Sequence, residues 1–459
     1  MHFDSFRRDA LWRVSTFVIL ALASLLPYII AVGLGDLRLR TIEFVITFFA
    51  AFILYLIACA VALRSKFSTV TFYLIVFFSI LFRLTLLPTK PTLSDDMFRY
   101  VWDGRVQAQG ISPYRYPPDA EELSYLHSND HAVWDNINRK PAVTVYPPGA
   151  QIVYALIWRI VGDSVLGYKA IFVVAEISGA WLLIQLLSHF NLPRERIVIY
   201  LWSPLLIFEV AHAGHVDAVM LPLLIAATLF RLKERHWLGG AALGAATAIK
   251  LFPLILLPAL LPFADKRSIA KMFAAFVGTI ILAYVPYLTW GSGAVGFLPN
   301  YFGENFNMGL AGILFEVAKA FHLVPSIFVN LITFGGLVVL GIVFALKTAA
   351  SARDILLRCV WLIGWFTLAT QNLFSWYLLW LLPLIVILIE RGNFLGFKFA
   401  PMTAWLIFSG TIMLSYLFFI EWRVNFWAQA AEYLPVYVIL LLPLFSLLRR
   451  KNGSLISIT

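Results

Sequence analysis

Charge is scarce in this sequence. Only 13% of its 459 residues are Asp, Glu, Lys or Arg, about half the share in soluble domains, so a fully solvated surface is excluded. Cysteine is nearly absent: Cys59 and Cys359 are the only two, both in or beside apolar runs, which rules out a disulfide framework and favours packing. No internal repeat is evident, and no concentrated basic stretch exists, so the net charge of +10 does not point to nucleic acid. A cleavable leader is not expected either. The first apolar run, 11–34, is long enough to span a bilayer and no small-residue cleavage site follows it.

Apolar length is what the chain has instead. Hydrophobic residues make up 61% of it, with a mean hydropathy of +0.85. A span takes roughly 20 apolar residues, and such runs recur from 12–34 to 432–448. The pattern predicts an all-α polytopic membrane protein, a single transmembrane domain over 1–459 built of about 14 hydrophobic segments. Some fall short of a crossing. Segments 237–250 and 251–263 adjoin, and Pro253, Pro258 and Pro262 break the second, as in helices that line cavities. Segment 149–162 is expected to be an interfacial helix.

Orientation follows from basic residues. Arg64, Arg194, Arg196, Arg231, Lys233, Lys266, Arg267, Arg353, Arg391 and both termini fall on one side, taken as cytoplasmic. The other side collects two loops, 88–148 and 291–325, and the turns near 213, 250, 373 and 425. This predicts a multi-pass protein of the cell inner membrane with both termini cytoplasmic.

The polar residues gather on the extracytoplasmic side. The first loop holds Asp95, Asp96, Arg99, Tyr100, Trp102, Asp103, Arg105, Tyr114 and Tyr146. The turns add His212, His215 and Asp217, then Lys250, then Glu304, Asn305 and Asn307, then Gln371, Trp376 and Tyr377. Their common face suggests one composite site at the bilayer surface. Each group also has a plain structural use. Asp95 and Asp96 suit a helix N-cap, Lys250 can snorkel, the aromatics near 376 suit an interfacial belt, and Asp103 can pair with Arg105. His212, His215 and Asp217 have a loose metal-ligand spacing.

The runs DDMFRYVWDGRVQAQGISPYRY at 95–116, VYPPGAQ at 145–151, GHVDA at 214–218, the Lys-x-x-Pro from Lys250 and WYLLWLLP at 376–383 resemble the GT-C superfamily of polyprenyl-phosphate-sugar-dependent glycosyltransferases. The nearest branch is that of bacterial mannosyltransferases, and the resemblance spans Leu81 to Pro383. It implies a GT-C-like bundle with short interfacial helices in the first large loop. It also implies a polyprenyl-phosphate-linked sugar donor, an inverting transfer, and an acidic base in the first extracytoplasmic loop. The base falls on Asp96, with Asp95 supporting. Phe374-Ser375 stands here where relatives carry His-Pro.

The chemistry matches the side chains. A carboxylate can take the proton of an attacking hydroxyl, and cations or neutral donors can meet a leaving phosphate. Lys250, Arg99, Arg105, His212 and His215 are the expected donor-phosphate residues. Asp217, Tyr100, Trp102, Asp103, Tyr114, Tyr146, Glu304, Asn305, Gln371 and Tyr377 are the expected contacts to sugar or acceptor. The sequence therefore reads as a membrane glycosyltransferase of glycolipid biosynthesis. It moves a sugar, taken as mannose, to a lipid-linked or glycan acceptor among membrane lipids. No cofactor is required by the pattern, although Asp95 and Asp96 would permit a Mg or Mn ion. The alternative is a transporter or flippase of a lipid-linked or sugar substrate.

Overall fold

The computed structural model describes residues 2–64, 69–127, 131–296, 304–394 and 401–453. Part of each expected loop, 128–130 in the first and 297–303 in the second, lies outside the described residues. The longer helices are α1 His2–Leu34, α2 Thr41–Arg64, α3 Thr69–Leu86, α4 Asp96–Ala108, α5 Pro148–Val161, α6 Val165–His189, α7 Asp217–Leu232 and α8 His236–Ile249. They are followed by α9 Lys266–Tyr284, α10 Leu310–Ala320, α11 Pro325–Leu346, α12 Ala352–Ala369, α13 Pro401–Thr411 and α14 Phe426–Gly453.

Seven of the helical stretches among the described residues are long and apolar enough to cross a membrane: Val14–Leu34, Thr41–Arg64, Thr69–Leu86, Val165–His189, Lys266–Thr289, Pro325–Leu346 and Pro401–Glu421. Several other expected segments are shorter or broken. Segment 197–213 is divided into Val198–Leu201, Pro204–Ile207 and a single wide turn at Phe208–His212. Segment 251–263 becomes Phe252–Leu256 and Leu257–Leu260. Proline accounts for part of this, since Pro204, Pro253 and Pro258 each begin a new helical piece where the missing N–H costs nothing.

The helices pack as a bundle in which α1 lies against α2 and α3, α7 between α6 and α8, and α8 along α9. A buried ion pair fastens the first group to the second. Arg83 of α3 reaches Glu176 of α6 at 2.7 and 3.0 Å, with both side chains fully buried. Its Nη1 donates to the Ser79 and Leu201 carbonyls, so four of the five guanidinium N–H groups are satisfied, as a buried charge requires.

The first loop is not a loose excursion. Met97 through Val106, ten consecutive residues of α4, are all buried. This helix lies against α5 and α6, and its aromatic residues are core. Tyr100 stacks on Tyr154 of α5 at 4.6 Å. Trp102 packs near Trp134 and His127. α4 thus sits between polar loop segments and the bundle, partly open only at Asp96 and at its last two residues, Gln107 and Ala108.

Candidate active site

Two glycines dock the sequence motifs on each other. Gly214, in the turn between His212 and His215, has φ +75°, and a Cβ there would collide with Met97 of α4. Gly149, at the start of α5, lies against the backbone of Ala248, two residues before Lys250. A side chain at Gly214 would push α4 from the turn before Asp217, and one at Gly149 would push α5 from the end of α8 that leads to Lys250.

Asp95 and Asp96 part company at the start of α4. Asp95 stands at the N-cap position, yet its side chain caps nothing. It accepts from Arg38 at 2.7 Å instead, and Arg38 also donates to the Thr92 carbonyl. Asp96 is half-buried and accepts from the Asn138 amide at 3.1 Å. Among the described residues Asp96 makes no ion pair.

The charges further along α4 are consumed by structure. Arg99 donates to Asp103 at 2.7 Å, one helical turn away, and to the Ala142 carbonyl. Asp103 also accepts from Gln151 at 2.8 Å. Arg105 pairs with Asp163 at 2.9 Å and donates to the Leu126 carbonyl. The expected Asp103–Arg105 pair does not form. Residues two apart leave a helix on different sides, whereas positions four apart face each other. Trp102 and Tyr114 are buried, Tyr114 donating to the Tyr146 carbonyl. Tyr146 is half-buried, edge-on to Tyr100 and Tyr154.

The three residues with metal-like spacing separate. His212 lies between the two threonines that begin the loop. Its Nε2 accepts from the Thr92 backbone N–H at 3.3 Å, which leaves Nδ1–H to donate to Thr89 Oγ1 at 2.8 Å. That tautomer follows from the partners. His215 turns the other way. Its Nδ1 lies 3.0 Å from a Glu209 carboxylate oxygen, its ring stacks on Trp376 at 3.9 Å, and its buried Nε2 has no partner. Asp217 accepts from Lys250 at 2.7 and 3.0 Å and from the Trp380 indole at 2.6 Å. Among the described residues no group of three or more His, Cys, Asp or Glu could hold a metal ion.

Lys250 is the C-cap of α8 in extended conformation. Its ammonium lies over the Tyr377 and Trp380 rings at 5.0 and 5.3 Å. Tyr377 and Trp380 stack on each other, and Trp380 stacks on Phe252, which places Lys250 at the head of an aromatic column. A second column runs His215, Trp376, Phe374, Phe306. It joins the 212–217 turn to the second loop. There Phe306 exchanges backbone hydrogen bonds with Gln371 and Leu373, Glu304 pairs with Arg139 of the first loop, and Asn305 is exposed.

Asp96, Tyr100, Asp217 and Lys250 thus belong to one neighbourhood. Burial pushes the Tyr100 phenol well above its ordinary range, and the Asp96 and Asp217 carboxylates both add to the push. The close approach of Gly214 to Met97 holds the 212–217 turn against the start of α4. Glu304, Asn305 and Gln371 are held in the second loop and the 371–374 segment.

Sequence reasoning passed over several members of this neighbourhood. Glu209 is fully buried and accepts from Ser375 at 2.6 Å and Tyr416 at 3.0 Å besides contacting His215. Ser375 thereby finds a use, donating to a buried carboxylate. Lys169 of α6 is fully buried and donates to the Thr89 carbonyl at 2.6 Å. Its presence in an apolar helix was a readable signal, because ionisable groups in spans are rare and usually functional. Arg38 and Asn138 offered no comparable pattern.

No curated protein and no solved structure matches this chain. A family model described as alpha-(1->6)-mannopyranosyltransferase, N-terminal domain, matches residues 18–265, more than half of the sequence. The match takes in α4, the His212–Asp217 turn and Lys250, and it favours the enzyme over the transporter. The chain belongs to the alpha-(1->6)-mannopyranosyltransferase family, and it is a multi-pass membrane mannosyltransferase that works between a sugar donor and a glycan acceptor.

Proposed function

We propose that the protein transfers mannose from a polyprenyl phosphate to a lipid-linked or glycan acceptor at the extracytoplasmic face of the inner membrane, with Asp96 as general base. One observation carries this reading. Among Asp95, Asp96, Asp103, Asp163 and Asp217, the other four are held by Arg38, Arg99, Arg105 and Lys250, while Asp96 has an amide partner and partial exposure. A base must be able to reach its proton.

The reaction is a single displacement in this reading. The acceptor hydroxyl attacks the anomeric carbon, the bond to the phosphate oxygen breaks, and the proton passes to Asp96 as the hydroxyl acidifies. An α-(1→6) product formed with inversion requires a β-linked donor sugar and a primary 6-hydroxyl as nucleophile. The leaving phosphate departs as an anion. Lys250 is the ammonium proposed to meet it, sharing its charge between Asp217 and the phosphate. His215 Nε2 is available as a further polar contact. Arg99, Arg105 and His212 hold the loop in shape and are withdrawn from the phosphate role. Tyr146, backed by the buried Tyr100, and Tyr377 are the aromatic residues proposed to face the sugar.

The test is Asp96→Asn in purified protein, with polyprenyl-phosphate mannose as donor and a mannoside as acceptor. Turnover is expected to drop by roughly 100-fold or more, whereas Asp95→Asn, which loses its Arg38 partner, is expected to lose less. Near-normal turnover of Asp96→Asn would remove Asp96 from the base role. No turnover by the parent protein with that donor would reject the donor.

A further inference from the structure

A second polar site lies at the other end of the helices that carry the first. α6 begins beside the acidic loop, where Lys169 holds Thr89, and ends at His189. Its 25 residues cover roughly 37 Å at 1.5 Å each, more than the hydrocarbon thickness of about 30 Å. α12 runs from Ala352 toward Gln371, and the helical pieces 375–388 run from Trp376 back to Ile389. At this far end, Phe190, Arg196, Arg353, Ile387, Glu390 and Arg391 help line an open groove of about 270 Å³.

Its charge is unbalanced. Three guanidinium groups, Arg196, Arg353 and Arg391, face one carboxylate, Glu390, which is paired with Arg353. Arg196 is buried, and its N–H groups donate to the Val386 and Ile389 carbonyls at the end of a helix. Among the described residues it makes no ion pair. Burial first, and the Arg353 guanidinium second, pull Arg196 down to about 10, with Glu390 opposing. A buried cation beside a second cation is costly unless an anion joins them. Phe190, Leu192 and Ile387 supply apolar lining beside these charges.

We propose that this groove binds the phosphate of an anionic phospholipid headgroup, at the membrane face opposite the transfer site. Guanidinium forks suit phosphate oxygens in bidentate geometry, and basic pockets at helix ends are known homes of such headgroups. The apolar lining favours a lipid over a dissolved anion. The site is separate from catalysis, so its test needs no donor or acceptor.

Thermal unfolding of the full chain is followed in mixed micelles containing phosphatidylglycerol, phosphatidylcholine alone, or inorganic phosphate, and lipid retained after purification is counted by native mass spectrometry. Phosphatidylglycerol is expected to raise the unfolding temperature by several degrees and to remain bound at one per chain; phosphatidylcholine is not. Arg353→Gln with Arg391→Gln, both on exposed side chains, is expected to abolish the shift and the retained lipid. Lys266→Gln with Arg267→Gln, at an exposed turn outside the groove, is expected to keep both. The proposal is overturned if the Arg353/Arg391 variant keeps the full shift, if the Lys266/Arg267 variant loses it equally, or if inorganic phosphate reproduces it.

Discussion

Removing Lys250 separates a substrate contact from a structural one. In the structure its ammonium is doubly hydrogen-bonded to Asp217, at 2.7 and 3.0 Å. Asp217 is fully buried, while the Lys250 side chain keeps 19% of its exposure. Lys250→Met leaves that carboxylate with the Trp380 indole as its only described side-chain donor. Breaking a fully buried pair costs roughly 3–5 kcal/mol. With Trp380 retained and one partner partly solvated, about 2–3 kcal/mol is expected. The double variant Lys250→Met/Asp217→Asn removes both charges, so most of that stability should return, a coupling that a double-mutant cycle measures. Activity should behave differently. If the ammonium meets the phosphate, its loss removes a charge-assisted bond worth about 2–3 kcal/mol, or roughly 30- to 160-fold in kcat/KM for the donor. The double variant should then be stable and still impaired. Detergent-solubilised proteins would be compared by thermal unfolding and by transfer kinetics with donor varied. Recovery of kcat/KM to within a few-fold of the parent, in step with stability, would refute the phosphate role and leave Lys250 as the counter-ion of Asp217.

Two further outcomes concern the scaffold. Arg83→Met strands the fully buried Glu176 and should destabilise the protein by about 3–5 kcal/mol, whereas Arg83→Met/Glu176→Leu should recover most of the loss in the same melt. Gly214→Ala adds a methyl group against Met97 at φ +75°, and about 1–3 kcal/mol of strain and overpacking is expected, relieved in part by Met97→Ala; an unchanged melting temperature would show that α4 and the 212–217 turn are not tightly docked.

The ion pairs of the first loop separate what is local from what is not. Arg99 and Asp103 stand four apart on a helix, so their pairing was open to inspection in the sequence. Arg105 finds Asp163, and Arg38 finds Asp95, across 58 and 57 positions, and no spacing rule reaches that far. For the same reason the H-x-x-H-x-D run read like a ligand set. In space its members point at Thr89 and Thr92, at Glu209, and at Lys250 and Trp380, three different walls.

By itself the sequence determined that the protein lives in a membrane, because long apolar runs leave no soluble alternative. It also marked one early polar loop and several distant turns as the candidate site, since ionisable groups are costly in such a chain. The mannosyltransferase family was legible in those same runs. Only the tertiary structure decided which charges remain available. Arg99, Arg105 and His212 are absorbed into the walls, Glu209 and Lys169 emerge from apolar surroundings, and Asp96 keeps an amide neighbour and a partly open carboxylate. The reason is that a buried charge must find its partner wherever the packing brings one, and packing joins residues that the chain holds far apart.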